Sequence, residues 1–177
     1  VGLLPERLPP DVKSWRPNGM IGQFQTPALL QQVQRMGLPT IDLFSQYGCR
    51  GIPRFSVDHA AITKMAVDYF LELGYQNLAY CGFRGVYYCE RRCAAFVEYV
   101  REQGCSVEVF QSPRPESGSR VLAIESAGVF DIEQMGEWLS SLPRPLAVMA
   151  GTDMRAMHVL EACSLCGLKV PDDVAVL

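Results

Sequence analysis

An α/β fold with parallel sheets is what this sequence predicts, and three observations carry that reading. Short apolar runs of strand length alternate with longer segments of helical period. Breaks rich in Gly, Pro and Asn separate them. The strand, helix, strand succession occurs twice over, with no sequence repeat of fixed period beneath it.

In chain order, GMIGQF from Gly19 reads as a strand and TPALLQQVQRMG as a helix, with Thr26 as N-cap, Pro27 as first helical residue and Gly37 as stop. PTIDLF is the next strand. The irregular SQYGCRGIP leads into RFSVD, and Asp58 caps a helix over residues 59–73 that ends at Gly74 and puts Ile62, Ala66, Tyr69 and Leu73 on one face. NLAYCG follows as a buried strand, with GFRGVYY as the loop at its carboxyl end. A helix over residues 90–103 carries Cys93, Phe96, Val97 and Val100 on its apolar side, Gly104 ends it, and CSVEVF returns as a strand. QSPRPESGSR is turn-rich and expected to be mobile. DIEQMGEWLSSL, capped by Asp131, then leads through Pro143 and Pro145 into the strand LAVMAG. The last helix, over residues 153–166, stops at Gly167, and VPDDVAVL enters a further strand. Two lobes are expected, residues 1–82 and residues 83–177.

Composition narrows the function classes. With 49% hydrophobic and 20% charged residues the chain can bury a core, which excludes disordered and collagen-like classes. The 16 Lys+Arg against 19 Asp+Glu leave a net charge of -3, so these residues lack the basic excess of a phosphate-contacting surface. No apolar run is long enough to cross a bilayer, and the start, VGLLPERLPPDVKSW, has neither the basic region nor the apolar stretch of a secretory signal, which points to the cytoplasm. Seven scattered cysteines, an odd number, read as reduced thiols. Cys163 and Cys166 form a CxxC inside a helical pattern, without a second CxxC or a His pair to complete a zinc site, so no metal is expected.

Ligands of open parallel sheets bind beyond the carboxyl ends of the strands, where loops enter helix N-termini. Those loops hold Phe24 and Gln25, Asp42, residues 83–88 with Phe83 at their head, and Thr152 with Asp153; Arg92 lies in the first turns of the helix after the aromatic loop. Aromatic faces, an arginine and carboxylates suit a polyol, whose hydroxyls need donors and acceptors while its C–H faces stack on rings. Each residue also has a plainer reading. Asp153 can merely cap its helix, Arg92 can pair with Glu90 or another acid on the surface, and Phe83 can be core. Catalysis has less support: His59 and His158 are the only imidazoles, neither in a nucleophile, metal or acid/base setting. No GxSxG, HExxH, P-loop or GxGxxG occurs, so neither an enzyme nor a cofactor is expected.

With these segments placed, the sequence resembles the lactose-repressor family of effector-binding domains over nearly its whole length. The residues that carry the resemblance are NGMIG, MGLPTID, VDHAAITKMAVDYFLELGYQNLAYCG, ERRCAAF and TDMRAMHVLEACSLCGLKVPDDVAVL, in that order and spacing. LSSLPRP and the TDMRA to VPDDVAVL stretch look most like xylose operon regulators. The resemblance implies two Rossmann-like lobes of periplasmic-binding-protein type I, incomplete in this chain, with a small sugar, D-xylose, held between them. It also implies a homodimer that acts on operator DNA through a helix-turn-helix domain outside these residues. By the same resemblance Arg92, four residues before Phe96, contacts the sugar, and Thr152 and Asp153 form the polar pair opening the last helix. Thr152 stands where the family usually has Asn, and Ala95 where Gly is common. An exported sugar-binding protein of a transport system is the alternative with the same fold.

Overall fold

The computed structural model describes residues 7–44, 47–116 and 119–177. Part of the leader reading (residues 1–6), Ser45 and Gln46 of the irregular SQYGCRGIP, and Ser117 and Gly118 of the stretch expected to be mobile lie outside the described residues.

The chain divides into two compact units, Val1–Val57 and Asp58–Leu177. The break falls before the helix that Asp58 caps, not after NLAYCG, where the expected boundary at residue 82 put it. The reason is strand pairing: NLAYCG is hydrogen-bonded on both edges within the second unit's sheet, so the strand and the helix before it belong there.

In the first unit, β1 (Met20–Gly22), β2 (Thr40–Leu43) and β3 (Arg54–Phe55) form a parallel sheet in that order. Helix α1 (Pro27–Met36) connects β1 to β2. The Thr26 hydroxyl accepts from the Leu29 amide, Pro27 fills the first turn, and Gly37 closes the helix with a left-handed φ of 65°. Leu29, Leu30 and Val33 of α1 pack with Phe24 into this unit's core. Ile21, Ile41 and Phe55 stand exposed, Ile21 and Ile41 being paired in register on one face of the sheet.

The second unit is a four-stranded parallel sheet in the order β5 (Ser106–Val109), β4 (Asn77–Cys81), β6 (Leu146–Ala150), β7 (Val174–Val176). Side chains alternate across a sheet, so each central strand feeds two cores. Leu78, Tyr80, Ala147 and Met149 pack with Ala66, Val67 and Phe70 of α2 (His59–Glu72) and Phe96 and Val100 of α3 (Tyr87–Glu102). Ala79, Cys81, Leu146 and Val148 pack with Met135 and Leu139 of α5 (Ile132–Ser141) and Val159, Ala162 and Cys163 of α6 (Asp153–Leu165). Losing one such aromatic, Phe96→Ala for instance, costs about 3–5 kcal/mol.

Local details differ from the sequence expectation in four places. Helix α2 is capped by Asp58 through the Ala61 amide, but its buried face is Thr63, Ala66, Val67 and Phe70, while Tyr69 and Leu73 are 50% and 56% exposed. Thr63 tolerates full burial because its hydroxyl donates back to the carbonyls of His59 and Ala60. Helix α3 begins at Tyr87, a turn before Glu90, so Tyr87 and Tyr88 are helical and Cys89 joins its buried face. An unforeseen helix α4 (Val121–Ala127) and a 3-10 turn (Gly128–Asp131) precede α5, and Asp131 makes no capping bond. Among the described residues no helix is long and apolar enough to cross a membrane.

Candidate functional site

The strand order fixes where a ligand site can form. From β4 the chain crosses by α3 to β5 on one side, then returns past β4 through α4 and α5 to β6 on the other. Between β4 and β6 the succession therefore reverses, and the loops leaving their carboxyl ends diverge to open a crevice. These loops are Gly82 to Val86, entering α3, and Gly151 with Thr152, entering α6. The Gly151 amide donates to the Cys81 carbonyl at 2.7 Å and ties the two strand ends together.

Three groups converge here. Arg92, in the second turn of α3, donates from Nη1 to the Gly151 carbonyl at 2.6 Å, and its Nε is buried without a protein partner. Thr152 caps α6 by accepting from the Arg155 amide at 3.1 Å, leaving Asp153 exposed as the first helical residue. Gly151 must be glycine, because an added methyl would lie 2.9 Å from both Cys89 Sγ and the Tyr80 hydroxyl and 3.2 Å from Gly82 Cα. The Tyr80 hydroxyl donates to the Cys89 carbonyl. Glu90 accepts from the Gly85 amide rather than pairing with Arg92, which answers one plainer reading of that arginine.

Helix α4 flanks this crevice. Val121 and Ile124 pack on Phe83, Val86 and Cys89, and the Tyr88 hydroxyl donates to Glu125 Oε1 at 2.5 Å. Burial pushes the Cys89 thiol up to about 11, with the Arg92 charge opposing and the Glu125 charge adding. His59, at the start of α2, has both ring nitrogens buried and unpartnered; burial, then Arg92 and Arg91, lower its pKa below 6.5.

Behind the crevice lies a buried charge that the sequence reading missed. Arg155 is 0% exposed; its Nη2 donates to Asp131 Oδ2 at 2.8 Å and its Nη1 to the Gly128 carbonyl, and its guanidinium stacks over Phe83 at 4.5 Å and Phe110 at 5.2 Å. His158 meets Phe83 edge-on. Phe83, 2% exposed, is thus a core ring and the platform of Arg155 rather than a stacking face open to a ligand. The only sequence signal for Arg155 was its place just inside a helix N-terminus, where a cation opposes the helix dipole and needs a reason to sit.

Of the residues singled out in the sequence, Arg92, Thr152 and Asp153 come together at the end of β6, with Phe83 packed behind them. Phe24 and Asp42 belong to the first unit. Phe24 is buried there against Gly22, and Asp42 is buried beside Arg54 of the neighbouring strand, with Nε and Oδ2 3.4 Å apart. A hollow of about 330 Å³ opens between Tyr80, Cys89 and Cys93 on one side and Phe110 and Ser112 on the other. A larger one, about 540 Å³, lies at the amino ends of β4 and β5, by Asn77 and Ser106, away from every group named above.

Comparison with known proteins bears on this geometry. Residues 67–177 match the periplasmic binding protein-like domain. The xylose operon regulatory protein of Haemophilus influenzae is 24% identical over 167 residues, which cover 90% of this chain and 41% of that protein. The protein of the same name from Escherichia coli K12 is 23% identical over 175 residues, 94% of this chain and 42% of its own length. The chain thus spans about two fifths of the length of these curated relatives. Among solved structures, a xylose-binding transcription activator superposes with a TM-score of 0.71 at 22% identity, over 90% of this chain and 42% of that one. A lac repressor dimer bound to operator and an anti-inducer superposes at 0.67 with 17% identity, over 94% and 58%. These structural likenesses are ones of fold.

Proposed function

Since this chain belongs to the periplasmic binding protein-like domain family, we propose that it forms the effector-binding core of a sugar-responsive transcription regulator. The effector is a small sugar, D-xylose in the reading its relatives favour, and the whole protein is a cytoplasmic homodimer that meets operator DNA through a separate helix-turn-helix domain. No catalytic step is assigned to it. The observation that carries this reading is the bond from Arg92 to the Gly151 carbonyl at the strand reversal, which holds a guanidinium beside Thr152 and Asp153.

Arg92 and Asp153 supply donor and acceptor to sugar hydroxyls, and Thr152 fixes the turn between them. Phe83 serves from beneath by seating Arg155. Sugar binding favours one arrangement of the lobes over another, and operator affinity changes in proportion to the difference in sugar affinity between the two.

The test is a thermal-shift titration of the full-length protein with a sugar panel led by D-xylose, beside Arg92→Ala. A ligand that binds only the folded state raises Tm by mass action. A xylose-selective rise that disappears in the variant supports the proposal, and no rise with any sugar overturns it.

A further inference from the structure

Along one face of α3, Tyr88 and Arg92 stand four residues apart, the spacing at which helical side chains are neighbours. Each is committed to a different element: Tyr88 to Glu125 of α4, Arg92 to Gly151 at the end of β6. The Glu125 carboxylate and the Arg92 guanidinium are therefore engaged from neighbouring positions of one helix, each with its own partner. Cys89, between Tyr88 and Arg92 in sequence, packs in one cluster with Tyr88 of α3 and with Val121 and Ile124 of α4. Tyr88 and Glu125 are each half-buried, and Tyr88 engages only Oε1 of the carboxylate.

We infer that Glu125, held by the Tyr88–Glu125 hydrogen bond across from Arg92, is a specificity-determining residue of the effector crevice that selects a neutral polyhydroxy ligand over an anionic one. This rests on the effector reading above and adds to it a residue from a helix that the sequence pattern did not disclose. A neutral sugar can donate one hydroxyl to Glu125 Oε2 and accept from the Arg92 guanidinium with another, so both charges gain a partner. A sugar acid or sugar phosphate gains at Arg92 but brings like charge toward Glu125, and discrimination comes from that repulsion. Tyr88 acts as a positioning residue, fixing one carboxylate oxygen so that the other faces the ligand.

The experiment is isothermal titration of the full-length protein with D-xylose and with D-xylonate, for the wild type, Glu125→Gln and Tyr88→Phe, with circular dichroism melts as the folding control. The wild type is expected to prefer xylose. Glu125→Gln, nearly equal in size, is expected to weaken xylose by about tenfold or more, as loss of a charge-assisted hydrogen bond predicts, while xylonate weakens less or gains. Tyr88→Phe is expected to weaken xylose several-fold, as roughly one neutral hydrogen bond. If wild type binds xylose and both variants bind both ligands unchanged, Glu125 has no such role and the effector reading stands. Preferential binding of xylonate by the wild type overturns the inference in the same way. Failure to bind either ligand overturns the inference together with the reading it rests on.

Discussion

Arg155 and Asp131 lie 2.8 Å apart with the guanidinium wholly buried, so a charged link between α6 and the end of the 3-10 turn is made out of water. A buried pair is costly to desolvate, and breaking it is costlier still because one charge is left alone. Asp131→Ala is expected to destabilise the protein by about 3–5 kcal/mol, whereas Arg155→Met with Asp131→Leu recovers most of the loss. Urea melts of the single and double variants check this; a single variant within about 1 kcal/mol of wild type contradicts it.

Gly151→Ala places a methyl against Cys89, the Tyr80 hydroxyl and Gly82. Overpacking of this kind costs about 1–3 kcal/mol. Because Gly151 also presents the carbonyl that Arg92 grips, sugar affinity should fall in the same variant, while Gly104→Ala, at a glycine of left-handed φ 72° far from the crevice, should lower Tm and spare affinity. Paired calorimetry and ligand titration separate the two effects.

Thr152 has two jobs that a substitution pair can divide. Thr152→Ser keeps the hydroxyl that caps α6 and should retain stability and binding. Thr152→Ala removes it and should cost about 1 kcal/mol. If Thr152→Ala loses stability but no sugar affinity, the residue is a cap alone.

His158 and His59 give the stability a pH dependence of defined sign. For both, burial is the larger cause lowering the pKa from 6.5, followed by Arg155 for His158, where Asp131 and Glu161 oppose, and by Arg92 and Arg91 for His59, where Asp58 opposes. The unfolded chain therefore takes up protons that the folded chain refuses as pH falls below 6.5. The stability linked to these residues is full above that value and declines below it. Urea midpoints should drop between about pH 7.5 and pH 5.5, and His158→Leu should show a shallower slope; an unchanged slope in His158→Leu removes that histidine from the account.

The strands and most helix ends were legible because their signals are local. Thr26 and Asp58 cap, and Gly37 and Gly74 stop, by backbone chemistry that needs no knowledge of the rest of the fold. The inward face of α2 was not legible: the segment is apolar nearly all round, and Ile62, Ala66, Tyr69 and Leu73 fit a helical stripe as well as Thr63, Ala66, Val67 and Phe70 do. Only packing against α3 and the self-satisfied Thr63 decides it. That Arg92, Thr152 and Asp153 lie near one another was legible because strand ends and helix starts predict where loops converge. Phe24 and Phe83 were placed at the same loop positions but turn inward, since a loop aromatic gains more by filling a core than by waiting for a ligand. Arg155, Asp131 and Glu125 depend on contacts between elements far apart in sequence, which no periodicity records.

The reversed order of β5, β4, β6 and β7 also constrains how the protein is made. As the polypeptide leaves the ribosome, β4 can pair with β5 early, but its other edge must wait for Leu146–Ala150 to emerge. At ordinary translation rates that interval is on the order of seconds. Throughout it, a strand whose Leu78, Ala79, Tyr80 and Cys81 are all destined for the interior shows an open edge to its neighbours on the polysome. Chaperone engagement of nascent chains should therefore peak after β5 and end once β6 is free to dock.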